Sequence, residues 1–194
     1  PVVEDDGSDD EFIRHLREAE KSVNHMYRDS EGYPTVGIGH LLEKPERAVR
    51  LPFKYGDPDQ KEEGSRDATP DEIHRAYDTL PRPSGKNNFG AEWYNPKTRP
   101  YIMPLYLTDQ SMEDIFAKDV IENKRSIADK FPDYPDYTKG AQNALLDMEF
   151  NMGGKFTKNK WPKFFEAVQN KDWSRAAHES HRYQVDDRRN KKTF

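Results

Sequence analysis

The chain has no cysteine among its 194 residues, which removes disulfides, thiolate zinc sites and cysteine nucleophiles together. Aliphatic residues are scarce. Leu, Ile, Val and Phe supply 34 of the 194, under the ~20% level below which disorder is suspected. No stretch approaches the ~18 consecutive apolar residues of a membrane-spanning helix. A basic leader is lacking as well: Pro1 is followed by Glu4, Asp5, Asp6, Asp9, Asp10 and Glu11, the reverse of a signal-peptide start. A chain beginning at Pro without Met is expected to be processed or excised from something longer. Excess charge of one sign is small, since 31 Lys+Arg face 36 Asp+Glu for a net -5. Disorder requires high net charge, and 12% aromatics is far too many for it. The reading is therefore a folded chain with a lean, aromatic-rich core, the size of one large domain or two small lobes. The acidic balance argues against a nucleic-acid binder. From Lys155 to Phe194, however, 11 basic residues face 5 acidic ones, so an anionic ligand at that end stays open.

Ser8-Asp9-Asp10-Glu11 reads as a capping box, and Phe12, Leu16, Ala19 and Val23 form one apolar stripe after it, predicting a helix that carries Glu20 at its buried edge. From Tyr27 to His40 the pattern is strand, Asp/Ser/Gly turn, strand, with Val36 and Ile38 alternating. Gly37 and Gly39 within that strand suggest a close backbone approach by another chain or a ligand. Residues 43–106 read as a long elaborated loop with one announced helix, after Thr69-Pro70-Asp71-Glu72. Thr108 caps a helix to about Lys130, which Pro132 and Pro135 break. Another helix runs from about Thr138 to Met152 and stops at Gly153-Gly154. Two shorter helices pass through Trp161–Val168 and Trp173–Ala177. The expected fold class is α+β.

Without cysteine, the candidate chemistries are carboxylates, or histidines with a metal. The six histidines show no ligand spacing. Asp57-Pro58-Asp59 through Gly64 mimics a calcium loop, but its glycine is misplaced, and a solvated acidic loop is the plainer reading. Glu20 sits at an apolar helix edge, where desolvation favours a protonated carboxyl. Asp29 opens a polar turn beside Arg28. Two carboxyls in contrasting environments fit the acid/base pattern of glycoside hydrolysis. A helical Glu and a turn Asp are equally ordinary on their own.

The whole string is more specific. Glu20, then Tyr27-x-Asp29-x-Glu31-Gly32-x-x-Thr35-x-Gly37-x-Gly39-His40-Leu41-Leu42, resembles the catalytic segment of phage-type lysozymes, the muramidases of glycoside hydrolase family 24. Ala144-Leu145-Leu146-x-Met148-x-Phe150-Asn151-Met152-Gly153 resembles that family's buried cleft helix, and Ser180-x-Arg182 with Arg188-Arg189-Asn190 resembles its basic tail. The likeness covers about residues 9–42 and 108–194. Lys21 stands where the family usually has Gly, Pro34 precedes the Thr, and the segment from Leu42 to Thr108 is much longer than in compact phage enzymes.

The resemblance implies a two-lobed lysozyme-like fold. Its N-terminal helix and small β-hairpin lobe would span 8–107 with a loop-rich insertion at about 43–106, followed by a connecting helix at 108–130 and an all-helical lobe at 131–194. It implies Glu20 as general acid, with Asp29 and Thr35 holding the attacking water. Glu31, Gly39, His40, Leu41, Phe150, Asn151 and Arg182 would bind substrate, and Glu31 with Arg182 would pair across the cleft. The implied activity is cleavage of the β-1,4 bond between N-acetylmuramic acid and N-acetylglucosamine in peptidoglycan, by inversion, with no metal or cofactor. The alternative is a catalytically impaired wall-binding or structural module of the same fold. Implied partners are glycan strands, an upstream domain of a larger chain and, for a toxin, a cognate immunity protein; nucleic acid is not among them, and the chain is expected to be a monomer. Its place of action would be the bacterial wall, reached by a holin-like route, a fused domain or a secretion system. Trp93, Tyr94 and Tyr101 in the insertion could stack on sugars or fill a satellite core.

Overall fold

The first helix, α1 (Ser8–Ala19), buries Leu16. The structure, a computed structural model, describes residues 8–29, 31–57, 65–82, 94–99 and 102–180. It is a mixed α+β protein with two small antiparallel sheets. The chain divides into two units. One takes residues up to Leu16 and from Asp119 onward; the other is Arg17–Lys118.

The second unit is built on strands β1 (Ser22–Arg28), β2 (Pro34–Ile38) and β3 (His40–Leu41), ordered β1-β2-β3. Tyr27 lies opposite Thr35 and Thr35 opposite Leu41, while the β1–β2 register shifts between Val23 and Tyr27. Gly37 and Gly39 take φ of +66° and +72°, conformations that an L side chain resists. A Cβ on Gly37 would meet only Met112 Cγ at 3.8 Å. Backbone conformation alone requires glycine at both positions.

Residues 43–106 are more than a loop. The segment holds α2 (Pro45–Val49), β4 (Lys54–Tyr55), β5 (Arg66–Asp67), α3 (Pro70–Asp78) and β6 (Leu105–Tyr106), and β4 pairs with both β5 and β6. Thr69 caps α3 as read: Glu72 N–H donates to Thr69 Oγ1 at 3.3 Å, and Thr69 N–H to the Glu72 carboxylate at 2.9 Å. Phe53, Ile73, Leu80 and Tyr94 from this segment share one core with Met26, Val36 and Leu42 of the hairpin. The insertion completes the hairpin's core.

Helix α4 (Asp109–Lys130) begins at a Thr108 cap, where Ser111 N–H donates to Thr108 Oγ1 at 3.1 Å. It leaves the second unit and enters the first. There a 3-10 turn at Tyr134–Asp136 leads to α5 (Lys139–Met152), ended by Gly153 at φ +46°. Helices α6 (Pro162–Gln169) and α7 (Trp173–Glu179) follow. Among the described residues no helix is long and apolar enough to cross a membrane.

Candidate active site

Side chains alternate across a strand, so the register gathers chemistry on one face of the hairpin. Tyr27, Thr35 and Leu41 stand in a row across β1, β2 and β3. Asp29, two residues beyond Tyr27, continues that face into the turn. His40 pairs with the fully buried Val36 and so lies on the opposite face of the hairpin. Of the adjacent pair His40 and Leu41, only Leu41 therefore shares the row with Thr35.

The turn after β1 is locked by Asp29. Its Oδ1 accepts from the Glu31 and Tyr33 N–H groups, both at 2.9 Å. Its own N–H donates to Tyr33 O at 3.0 Å, and Gly32 N–H donates to Asp29 O at 2.9 Å. Gly32 closes the turn at φ +85°. Among the described residues no hydrogen bond goes to Oδ2, which leaves one carboxylate oxygen for a ligand or water. Glu31 stands exposed on the turn.

Glu20 is half-buried in a bend directly after Ala19. The expected helical stripe ran on to Val23, but α1 stops at Ala19: Glu20 lies in the link to β1 and Val23 in the strand itself. Arg17, in the last turn of α1, makes a two-pronged bond to Glu113 of α4, with Nε 2.8 Å from Oε1, which anchors the approach to Glu20. One side chain registers both carboxylates. Burial first, then the Glu20 and Asp29 charges, push the half-buried Tyr27 phenol up to about 12, so it stays a neutral O–H donor at any ordinary pH. Thr35 is buried at 4% exposure, and its hydroxyl donates to Tyr33 O at 3.1 Å, leaving its lone pairs to accept.

Arg28 carried no weight in the sequence beyond its place next to Asp29. In the structure it is buried, and its guanidinium donates to three backbone carbonyls: Nε to Pro81 O at 3.1 Å, Nη1 to Gly32 O at 2.9 Å and Nη2 to Leu80 O at 3.2 Å. Desolvation first, then the like charge of Arg82, pull its guanidinium below the usual value. The strand's alternation signals an inward residue at one of these positions, but nothing local names its two distant acceptors, which lie more than 50 residues on.

Phe150 is half-buried and Asn151 exposed on α5, in the other unit. The Asn151 amide donates back to Asp147 O at 2.6 Å and Asp147 Oδ1 at 3.2 Å. Arg182, and with it the expected pair to Glu31, lies outside the described residues, as do Arg188, Arg189, Trp93 and Tyr101. Tyr94 is fully buried and its hydroxyl donates to Pro81 O at 3.0 Å; it fills the core shared with the hairpin. Among the described residues no three His, Asp or Glu side chains gather as a metal would require. No protein-family profile matches the chain, and no curated protein sequence does.

Proposed function

We propose that the protein is a muramidase that hydrolyses the β-1,4 bond between N-acetylmuramic acid and N-acetylglucosamine in bacterial peptidoglycan, on a two-lobed lysozyme-like fold. The observation that carries this reading is the hairpin face: Tyr27 opposite Thr35, Asp29 at the end of the same face, and both Glu20 and Asp29 acting on the one Tyr27 phenol. Two carboxyls with different surroundings acting on one polar group are what acid/base glycosidic cleavage needs. Glu20, half-buried, protonates the leaving oxygen. Asp29, with Oδ1 committed to the turn, uses Oδ2 to draw a proton from water. Thr35 accepts a hydrogen bond from that water. Attack from the face opposite the acid inverts the anomeric centre, which calls for carboxyls on the order of 6.5–9.5 Å apart. The sugars reach the site from the wall, with the glycan strand as the partner.

Glu20→Gln decides the matter. It keeps the shape and removes the proton, so clearing of a bare peptidoglycan suspension should fall by about 10²–10⁴-fold while circular dichroism stays that of the wild type. Thr35→Ala should cost less, because no charge is removed. A folded Glu20→Gln protein that clears at the wild-type rate rules the assignment out. One observation favours a second reading, an inactive wall-binding module: Thr35 is buried and its proton is spent on Tyr33 O. In that case the wild type pelleted with peptidoglycan would bind it and release no reducing ends.

A further inference from the structure

We propose that Arg28 is a positioning residue through which the segment inserted between β3 and α4 sets the turn that carries Asp29. The inference rests on the muramidase reading for its catalytic consequence, and on the hydrogen bonds of Arg28 for its structural one. The three carbonyls that receive the guanidinium divide into two groups. Leu80 O and Pro81 O belong to the inserted segment, whereas Gly32 O belongs to the Asp29–Tyr33 turn. One planar fork therefore bridges two pieces of chain some 50 residues apart, and Asp29 is the next residue along.

Both ends of the bridge are themselves fixed. Leu80 is buried in the shared core, and Pro81 O also accepts from the Tyr94 hydroxyl at 3.0 Å. On the other side, Gly32 is tied to Asp29 through the 2.9 Å bond from its N–H to Asp29 O, and Asp29 Oδ1 holds the Glu31 and Tyr33 N–H groups. A shift of Gly32 O must therefore carry the Asp29 carboxylate with it. An apolar side chain of similar length would fill the same space without burying a charge among neutral acceptors. Arg spends that cost on geometry: a rigid fork sets three acceptors at once, which a Lys ammonium on a flexible stem does not. The charged and titratable groups acting on the guanidinium are Arg82, Tyr94, Tyr77 and Asp29. Asp29 is the sole carboxylate in that set. Arg28 touches no reacting atom in this scheme; it acts through the turn.

The test compares Arg28→Lys, Arg28→Gln and Tyr94→Phe in the full chain, at a temperature where each is folded by circular dichroism. Two readouts are taken. Amide hydrogen exchange should speed up at Glu31 and Tyr33, whose N–H groups sit on Asp29 Oδ1, and stay unchanged at Val36 in the neighbouring strand. On a soluble peptidoglycan oligosaccharide, kcat should fall on the order of 10- to 100-fold, the usual effect of a misplaced catalytic group, with KM moving less than about threefold. Tyr94→Phe should show the same pattern, weaker. A folded Arg28→Lys protein with unchanged exchange at Glu31 and Tyr33, or with unchanged kcat, overturns the proposal. If Arg28→Gln does not fold, Arg28→Lys and Tyr94→Phe decide alone. Should Glu20→Gln retain activity, the muramidase reading fails, and the exchange pattern still decides whether Arg28 sets the turn.

Discussion

In the helical unit, α5 alone buries Ala141, Ala144, Leu145, Leu146 and Met148, and Phe131, Phe156, Phe164 and Phe165 meet ring against ring at 4.7–6.3 Å. In the hairpin unit the core is just as real, yet many of the described residues around it lie outside helices and strands. There, long polar side chains reach backbone carbonyls: Arg28 to Gly32, Leu80 and Pro81, Tyr94 to Pro81, and Tyr77 to Leu42 at 3.0 Å. The difference follows from backbone accounting. Helices satisfy their own N–H and C=O groups and need only apolar side chains to pack, whereas irregular buried chain must find partners elsewhere. Apolar truncation should therefore hurt the first unit most, and loss of a single polar atom should be felt in the second.

The largest effect is expected at Phe156. It is fully buried in a non-helical link, with Phe165 at 5.2 Å and Phe164 at 5.7 Å. Phe156→Ala should destabilise by roughly 4 kcal/mol, a lost aromatic plus its cavity, read from urea denaturation. A loss below about 1 kcal/mol, less than a buried Phe→Ala is known to cost, would mean the ring cluster is not what holds these helices together.

The helical unit also buries polar side chains, Asp147, Glu149 and Ser180 among them, and Glu149 makes the sharper test. Glu149 of α5 is buried, and accepts from Ser126 Oγ at 2.7 Å and Lys130 Nζ at 2.5 Å. Lys130 also lies 5.2 Å from the centre of the Phe156 ring. Lys130→Met strands a buried carboxylate and should cost roughly 3 kcal/mol. Replacing both partners, Lys130→Met with Glu149→Leu, should return most of it. If the double variant is as unstable as the single one, the pair contributes by more than mutual neutralisation.

The same division explains what could be read in advance. Four helix ends were legible because each is marked locally: Thr69 with Glu72, Thr108 with Ser111, Thr138 with Ala141 and Gly153 at the close of α5. Strands β4, β5 and β6 are two residues long, too short for any alternation, and Lys54 finds its partners at Asp67 and Tyr106. No window along the chain contains that information. The Asp29 turn was legible, since Asp-x-Glu-Gly states its own geometry, and alternation puts Thr35 on the same face as Tyr27 once the hairpin is granted. Alternation also separates His40 from Leu41, which the motif had put together. The distant acceptors of Arg28 were out of reach of any local pattern, because they are main-chain atoms of Leu80 and Pro81, and a carbonyl leaves no trace in the sequence.

The smallest effect concerns acid, and it is confined to the inserted segment. Glu72 opens α3, accepts from the Thr69 N–H at 2.9 Å and is gripped by Arg66 at 2.8 Å. Arg66 first, then the Thr69 backbone, bring its carboxyl down to about 2, against ~4.3 for an unperturbed Glu. A carboxyl depressed in the folded state stabilises that state above its unfolded value, and the contribution disappears as pH falls from there through the folded value. The start of α3 should thus loosen between about pH 4 and pH 2, while the Thr108 and Thr138 caps, which use uncharged hydroxyls, keep their hold across the same range. The measurement is a carbon-detected titration of Glu72 in the folded protein, repeated in Arg66→Gln. The wild-type midpoint should lie near 2 and rise toward the ordinary value in the variant. A wild-type midpoint at 4 would show that Arg66 is spread in solvent and that the capping box alone, with no ionic grip, begins α3.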